Sequence, residues 1–299
     1  MANPTNALAY QPLLDSIKNR DCIAVIGAGI SSPDYPLWNA LLTELLRDCG
    51  IRAEDVPAKI ARDKASQADF ARARNPAAYY DTLNRVFARR KSPECATRYH
   101  LLARIGFCSY INLNFDPVLC DVLNLHTNIS VSTYPVLQPK HLRDGNVFHL
   151  HGRIDKDSPA EDGRIVLSKE DFKTAYDPIR SRVHAFLQSV FDDHDVCFLG
   201  CNPEEPNLKR ILGSCESFQE SLHGVTSPSR PRRFLLWSHD SAEPMLKKCG
   251  VNLVNYAKVD GAYTGLLDVL KHLAGDRPIS HRQGDVESRT YASNDGGQP

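Results

Sequence analysis

The chain has 299 residues, 42% of them apolar, and its 36 lysines and arginines balance its 36 aspartates and glutamates. That length supports one large core, or a core with a helical subdomain beside it, and the even charge removes any overall pull toward nucleic acid or an acidic membrane. No stretch approaches the roughly twenty uninterrupted apolar residues of a spanning helix, and the N-terminus lacks the charged and apolar regions of a signal peptide, so a cytoplasmic protein without membrane association is expected.

The first apolar run, residues 22–26, ends in Gly27-Ala28-Gly29-Ile30-Ser31. A buried strand entering a glycine turn is how a nucleotide-phosphate site begins: the backbone can approach a diphosphate, and the amides of a following helix donate to it. Tight turns also use glycine structurally, so the turn alone leaves both readings open. Residues 37–49 follow with helical spacing. Residues 51–105 are strand-poor and rich in alanine, arginine and tyrosine, and are expected to form a helical insertion above the carboxyl ends of the strands. Further strands are predicted at 108–113, 129–132, 147–150, 196–199, 234–237 and 251–254. Amphipathic helices are predicted at 117–125, 181–191, 207–215, 242–248 and 261–274. Strands alternating with helices argue for an α/β fold, a doubly wound Rossmann-like and mostly parallel sheet covered on both faces. Residues 276–299 carry no apolar periodicity and are expected to be a disordered tail after a single domain at 1–275.

The nine cysteines include no C-x-x-C pair, which argues against a zinc ribbon; with no export signal they are expected to be reduced thiols, most of them in apolar surroundings. Two basic runs, at 89–91 and 230–233, read as solvated edges, and no direct nucleic-acid contact is expected.

Four short motifs end predicted strands: GAGIS at 27–31, LNFD at 113–116, HLHG at 149–152 and GCNPEEPNL at 200–208. The ends of parallel strands on one edge converge, so one crevice would receive glycine amides, a carboxamide, a carboxylate and an imidazole. His149 and His151 could share a metal, but no third ligand follows at short spacing and none is expected. Asn114 or Asp116 could cap the helix that follows.

As a set, these motifs resemble the sirtuin superfamily, with its GAG-S turn, T-x-N-x-D segment, H-G motif and later G-x-S turn. They are closer to the sirtuin-like domains of bacterial antiphage defence systems, known as NAD⁺ hydrolases. The resemblance spans roughly residues 15–275 and includes Pro36-Leu37-Trp38, similar to the P-x-W after the first turn of those domains. It implies that Asn114 is the catalytic asparagine, Asp116 the ribose-orienting aspartate and His151 the base, whose ordinary pKa near 6.5 suits neutral pH. It also implies that Gly27, Ala28, Gly29 and Ser31 cradle the diphosphate of NAD⁺, with Gly200, Asn202 and Asn207 on the adenosine side. Departures are Asn202 for the usual serine, Glu205 for the usual aspartate, and Asn112 and Leu113 for the usual threonines.

No cysteine lies between His151 and Val196, where protein-deacylating sirtuins carry a zinc module. Water is therefore the expected acceptor, and NAD⁺ glycohydrolase the expected activity, depleting NAD⁺ in antiphage abortive infection. A deacylase or ADP-ribosyltransferase, and a catalytically silent NAD⁺ or ADP-ribose sensor, are the alternatives. The resemblance further implies a homo-oligomer and a companion protein in trans, such as an ATPase, nuclease, Argonaute or second-messenger sensor.

Overall fold

A computed structural model describes residues 4–87, 93–126, 128–138, 142, 145–201, 208–215, 231–238, 250–256 and 264–275. Asn202, Asn207, the predicted helix at 242–248, the basic run at 89–91 and the tail at 276–299 lie outside these residues.

Seven strands form one parallel sheet: β1 (Cys22–Ile26), β2 (Ser109–Asn112), β3 (Val131–Thr133), β4 (Val147–His149), β5 (Asp195–Leu199), β6 (Arg233–Trp237) and β7 (Val251–Asn255), in the order β3-β4-β2-β1-β5-β6-β7. β1 pairs with β2 on one side (Ile26 beside Asn112) and with β5 on the other (Ile26 beside Leu199). All five residues of β1 are buried. Its alternate residues feed two separate cores, Cys22, Ala24 and Ile26 on one face, Ile23 and Val25 on the other. A strand covered on both faces reads as an unbroken apolar run, which is why these strands were visible in the sequence.

The first face carries α1 (Pro4–Lys18), α5 (Pro93–Ile105), α6 (Val118–Asn124) and the last described helix, α9 (Thr264–Ala274), with Leu13, Ile17, Leu102, Leu119, Leu266 and Leu270 in one apolar layer. The other face carries α8 (Arg182–Asp193) and the helical residues 208–215. On α8, Val183, Phe186, Leu187, Val190 and Phe191 recur at three and four and are buried, and Ser181 accepts from the Val183 amide at 3.1 Å to start the helix.

The region 51–105 divides in two. α5 is a covering helix of the sheet, packed beside α6 and α9. Only α3 (Lys64–Arg74) and α4 (Pro76–Phe87), which pack on α2 (Trp38–Asp48), form an added helical layer. Phe87 at the end of α4 stacks on Tyr35, 5.7 Å between ring centres, and meets Phe115 edge-on at 5.4 Å. Tyr35 and Phe115 follow β1 and β2, so this layer reaches the carboxyl edge of the sheet. Two elements escaped the sequence reading: α1, and the seven-residue α7 (Lys169–Ala175).

Candidate active site

The sheet reverses its strand order at β1, and in doubly wound folds the crevice outside the carboxyl ends at that point is where ligands sit. Here the turns after β1 and β5 lock together. Gly27 N donates to Leu199 O at 3.0 Å and Gly29 N to Gly200 O at 2.8 Å. A Cβ at Gly27 would stand 2.4 Å from Cys201 Cβ, and one at Gly200, whose φ is +63°, would stand 2.6 Å from Ile30 N. The glycines are thus required first by contact of one turn with the other. Because α2 begins at Trp38, the turn leads into hydrogen-bonded turns and not directly into a helix N-terminus, contrary to the sequence expectation. Ile30 N and Ser32 N are also spent, on Gly27 O and Ala28 O. Among the described residues, the amides of Ala28, which is half-buried, and Ser31 remain for an anion.

Arg98 of α5, a residue the sequence reading missed, holds this turn from below. It is 3% exposed, and its Nη1 donates to the carbonyls of Ser32 (2.5 Å), Ile30 (3.2 Å) and Gly29 (3.4 Å). The signal was present, since Cys95, Arg98, Leu102 and Ile105 share the three-and-four spacing of the buried face. Replacing Arg98 by alanine strands three carbonyls and is expected to cost about 2–4 kcal/mol in urea unfolding. Lysine, a point donor in place of a planar fork, should restore only part of that loss.

The LNFD segment is fixed at both sides of Asn114. Asn112 Oδ1 accepts from Asn114 N at 3.0 Å, and His149 Nδ1 meets Asn114 O at 3.3 Å. That carbonyl can only accept, so Nδ1 of His149 carries the proton, while its Nε2 lies 3.2 Å from the Cys120 thiol. His149 therefore braces the asparagine and does not face a ligand. The Asn114 carboxamide, 6% exposed, lies 3.5 Å from Ser31 Oγ. Asp116 is fully buried: its Oδ1 accepts from Tyr99 OH and from Val118 N, both at 3.2 Å, so Asp116, which precedes the cap residue Pro117, and not Asn114, takes the first amide of α6. Its Oδ2 has no hydrogen-bond partner among the described residues. Burial pushes the Asp116 carboxyl up to about 6, against the pull of Val118 N, Ser31 and Tyr99.

His151 follows β4 and is 8% exposed. Its Nδ1 meets Leu113 O at 3.2 Å and its Nε2 meets Tyr176 OH at 2.7 Å, while Phe172 packs edge-on at 5.4 Å. The Leu113 carbonyl fixes the proton on Nδ1, leaving the Nε2 lone pair to accept from Tyr176. Gly152, at φ +91°, lets the chain turn away at once, because a Cβ there would lie 2.2 Å from Arg164 O. Burial lowers His151 to about 4, more than the Leu113 carbonyl can offset, and His149 to about 4 as well. The expectation of an ordinary histidine pKa is therefore corrected: His151 is neutral throughout the neutral range, and the group that titrates near pH 6 is Asp116.

These shifts oppose one another in stability. Below its ordinary pKa of 6.5 each histidine protonates in the unfolded chain but not in the folded one until about pH 4, so stability falls with pH across that window. Asp116 acts in the other direction: the folded state takes its proton near pH 6, the unfolded one near 3.8, and the folded state gains as pH falls between them. The two histidines outweigh the one carboxylate, and His184, also lowered by burial, adds to them, so the unfolding free energy should drop as pH falls from about 6 to about 4. Urea titrations across that range measure this slope, and Asp116→Asn should steepen it.

The structure thus gathers Gly27, Gly29, Ser31, Asn114, Asp116, His151 and Gly200 at adjoining strand ends. Among the described residues no cluster of three potential metal ligands occurs. Residues 109–253 match the family model described as the SIR2-like domain, a stretch that holds Asn114, Asp116, His151 and Gly200 but not the glycine turn at Gly27. No curated protein matches the chain. Among solved structures, a SIR2 homolog–NAD complex shares 13% identity over 88% of this chain and 92% of that one, with a TM-score of 0.43. A Sir2 homologue mutant–ADP ribose complex shares 13% identity over 88% and 94%, with a TM-score of 0.44.

Proposed function

We propose that this chain, which carries a sirtuin-like domain over residues 109–253, is an NAD⁺ glycohydrolase that releases nicotinamide and ADP-ribose with water as the acceptor. The observation that carries the reading is the buried junction of Ser31, Asn114 and Asp116, next to an imidazole kept neutral by its surroundings. Loss of nicotinamide breaks the ribose C1′–N bond, and the bonding electrons leave with the ring and neutralise its charge. The sugar centre left behind is oxocarbenium-like and is captured by water. Asn114, its backbone fixed on both sides, can hold the ribose or the water with its carboxamide. Asp116, ionised above about pH 6 and fully buried, orients the ribose through Ser31, whose side chain bonds its carboxylate. His151 takes the water's proton. A base lowered to about 4 is weak, but water becomes strongly acidic as it bonds to such a cation, so little basicity is required. Among the described residues of the turn, the amides of Ala28 and Ser31 are the donors left for the diphosphate.

Product analysis in ¹⁸O-labelled water tests the acceptor. A hydrolase places one solvent oxygen at the freed anomeric carbon of ADP-ribose and needs no acylated peptide, whereas an acyl-ADP-ribose product formed only with peptide would replace this reading with a deacylase.

A binding-only sensor has one observation in its favour: both ring nitrogens of His151 are hydrogen-bonded within the protein. Tight ADP-ribose binding without turnover would select it. Depletion of NAD⁺ as an antiphage response, self-association and a companion protein in trans belong to the same proposal and rest on the motif resemblance. They are tested by cellular NAD⁺ levels during phage infection and by the native mass of the purified protein.

A further inference from the structure

The hydrogen bond between His151 and Tyr176 creates a problem for any mechanism that uses the imidazole as a base. Nδ1 carries the proton that Leu113 O accepts, so the single lone pair of the ring is on Nε2, and at 2.7 Å that lone pair is taken by the Tyr176 hydroxyl. Either the tyrosine leaves, or the proton reaches His151 through it.

The packing favours the second. Tyr176 is 1% exposed, and its ring belongs to the core layer with Phe148, Leu150, Val183 and Phe186. Arg210 Nη2 donates to its backbone carbonyl at 2.9 Å. The helix it terminates, α7, is started by a reciprocal cap in which Ser168 accepts from Asp171 N at 3.2 Å and Asp171 Oδ2 accepts from Ser168 N at 2.8 Å. Asp171 also accepts from Arg72 of α3 at 2.8 Å. Swinging the phenol away would break up this assembly, whereas its oxygen can accept a hydrogen bond while its own proton stays donated to the Nε2 lone pair.

We propose that Tyr176 is a catalytic residue, the phenol through which the attacking water loses its proton to His151; this rests on the hydrolase reading given above. As the water oxygen forms its bond to C1′, the water O–H bond breaks and its proton passes to the Tyr176 oxygen. The phenol's own proton passes to Nε2 in the same movement. Tyrosine is neutral before and after, the positive charge given up by the sugar rests on the imidazolium, and that ring later releases its proton to solvent. Tyrosine and histidine thus act as one unit.

Steady-state kinetics of nicotinamide release by the full chain test the relay. Tyr176→Phe keeps the ring and removes the hydroxyl, and is expected to lower kcat by about 10²-fold with KM and ADP-ribose affinity within twofold of wild type. Combined with His151→Ala, it should cost little more than the greater of the two single losses. Site-specific 3-fluorotyrosine at 176 preserves the packing and changes only the acidity of the phenol. It should shift kcat and leave KM unchanged, which keeps the test open if the phenylalanine variant folds poorly. A wild type that releases nicotinamide, with Tyr176→Phe within twofold of it or with the two losses multiplying in the double variant, overturns the relay alone. A wild type that releases none overturns the hydrolase reading, and the relay falls with it.

Discussion

Replacing Asn114 by alanine is expected to lower nicotinamide release by about 10²- to 10³-fold while leaving the fold intact, a loss typical of deleting one preorganised polar group aimed at the reacting centre. The reason to expect a catalytic and not a structural defect lies in how the residue is held. Asn112 Oδ1 and His149 Nδ1 bind its backbone amide and carbonyl, and both contacts survive truncation of the side chain. The carboxamide itself contacts Ser31 Oγ at 3.5 Å and the buried Tyr99 hydroxyl. Thermal unfolding of Asn114→Ala should therefore fall only by what one or two side-chain hydrogen bonds contribute, about 1–2 kcal/mol. Asn112→Ala should give the opposite pattern, because it strips the cap from Asn114 N and loosens the whole segment.

Gly200→Ala is expected to destabilise the protein by about 3 kcal/mol or more, and to abolish activity through the same defect. Two costs add. The residue lies at φ +63°, where a side chain is disfavoured, and its new Cβ would press on Ile30 N at 2.6 Å and on the carbonyl carbon of Gly29 at 2.9 Å. Both obstacles are backbone, so neither can rotate aside. The turn that positions Ser31 against Asn114 must shift with them. Urea unfolding measures the loss, and a midpoint unchanged from wild type would refute the interlocked-turn explanation of these glycines.

Much of the fold was legible because a sheet buried on both faces writes itself as short apolar runs bounded by turn residues, as in Cys22–Ile26 and Asp195–Leu199. The helix α7 was not, since seven residues with only Ala175 buried leave no periodicity to detect. Its trace in the sequence was Ser168 with Asp171 three residues on, the reciprocal cap. The trace of α1 is Tyr10, Leu13 and Ile17, three and four apart on one buried stripe too short to stand out from its polar neighbours.

The candidate site was legible at the level of motifs and less so at the level of chemistry. The strand-end motifs converge as parallel topology requires. Their internal roles needed tertiary contacts. The glycines of the first turn answer to Gly200 and Cys201, far along the chain. The basicity of His151 depends on burial beside Phe172 and Tyr176, which come from a helix the sequence did not reveal. Burial likewise gives Asp116, not His151, the pKa near 6. The rising acid limb of the pH–rate profile should therefore lie near pH 6 and belong to the carboxylate.

The most direct test is chromatographic measurement of nicotinamide and ADP-ribose after incubating the purified full chain with NAD⁺, with no acylated peptide present and across a series of protein concentrations. Equimolar release of the two products by wild type, lost in Asn114→Ala, is the result expected. NAD⁺ left intact by wild type at every concentration, or release that persists undiminished in Asn114→Ala, would contradict the hydrolase assignment.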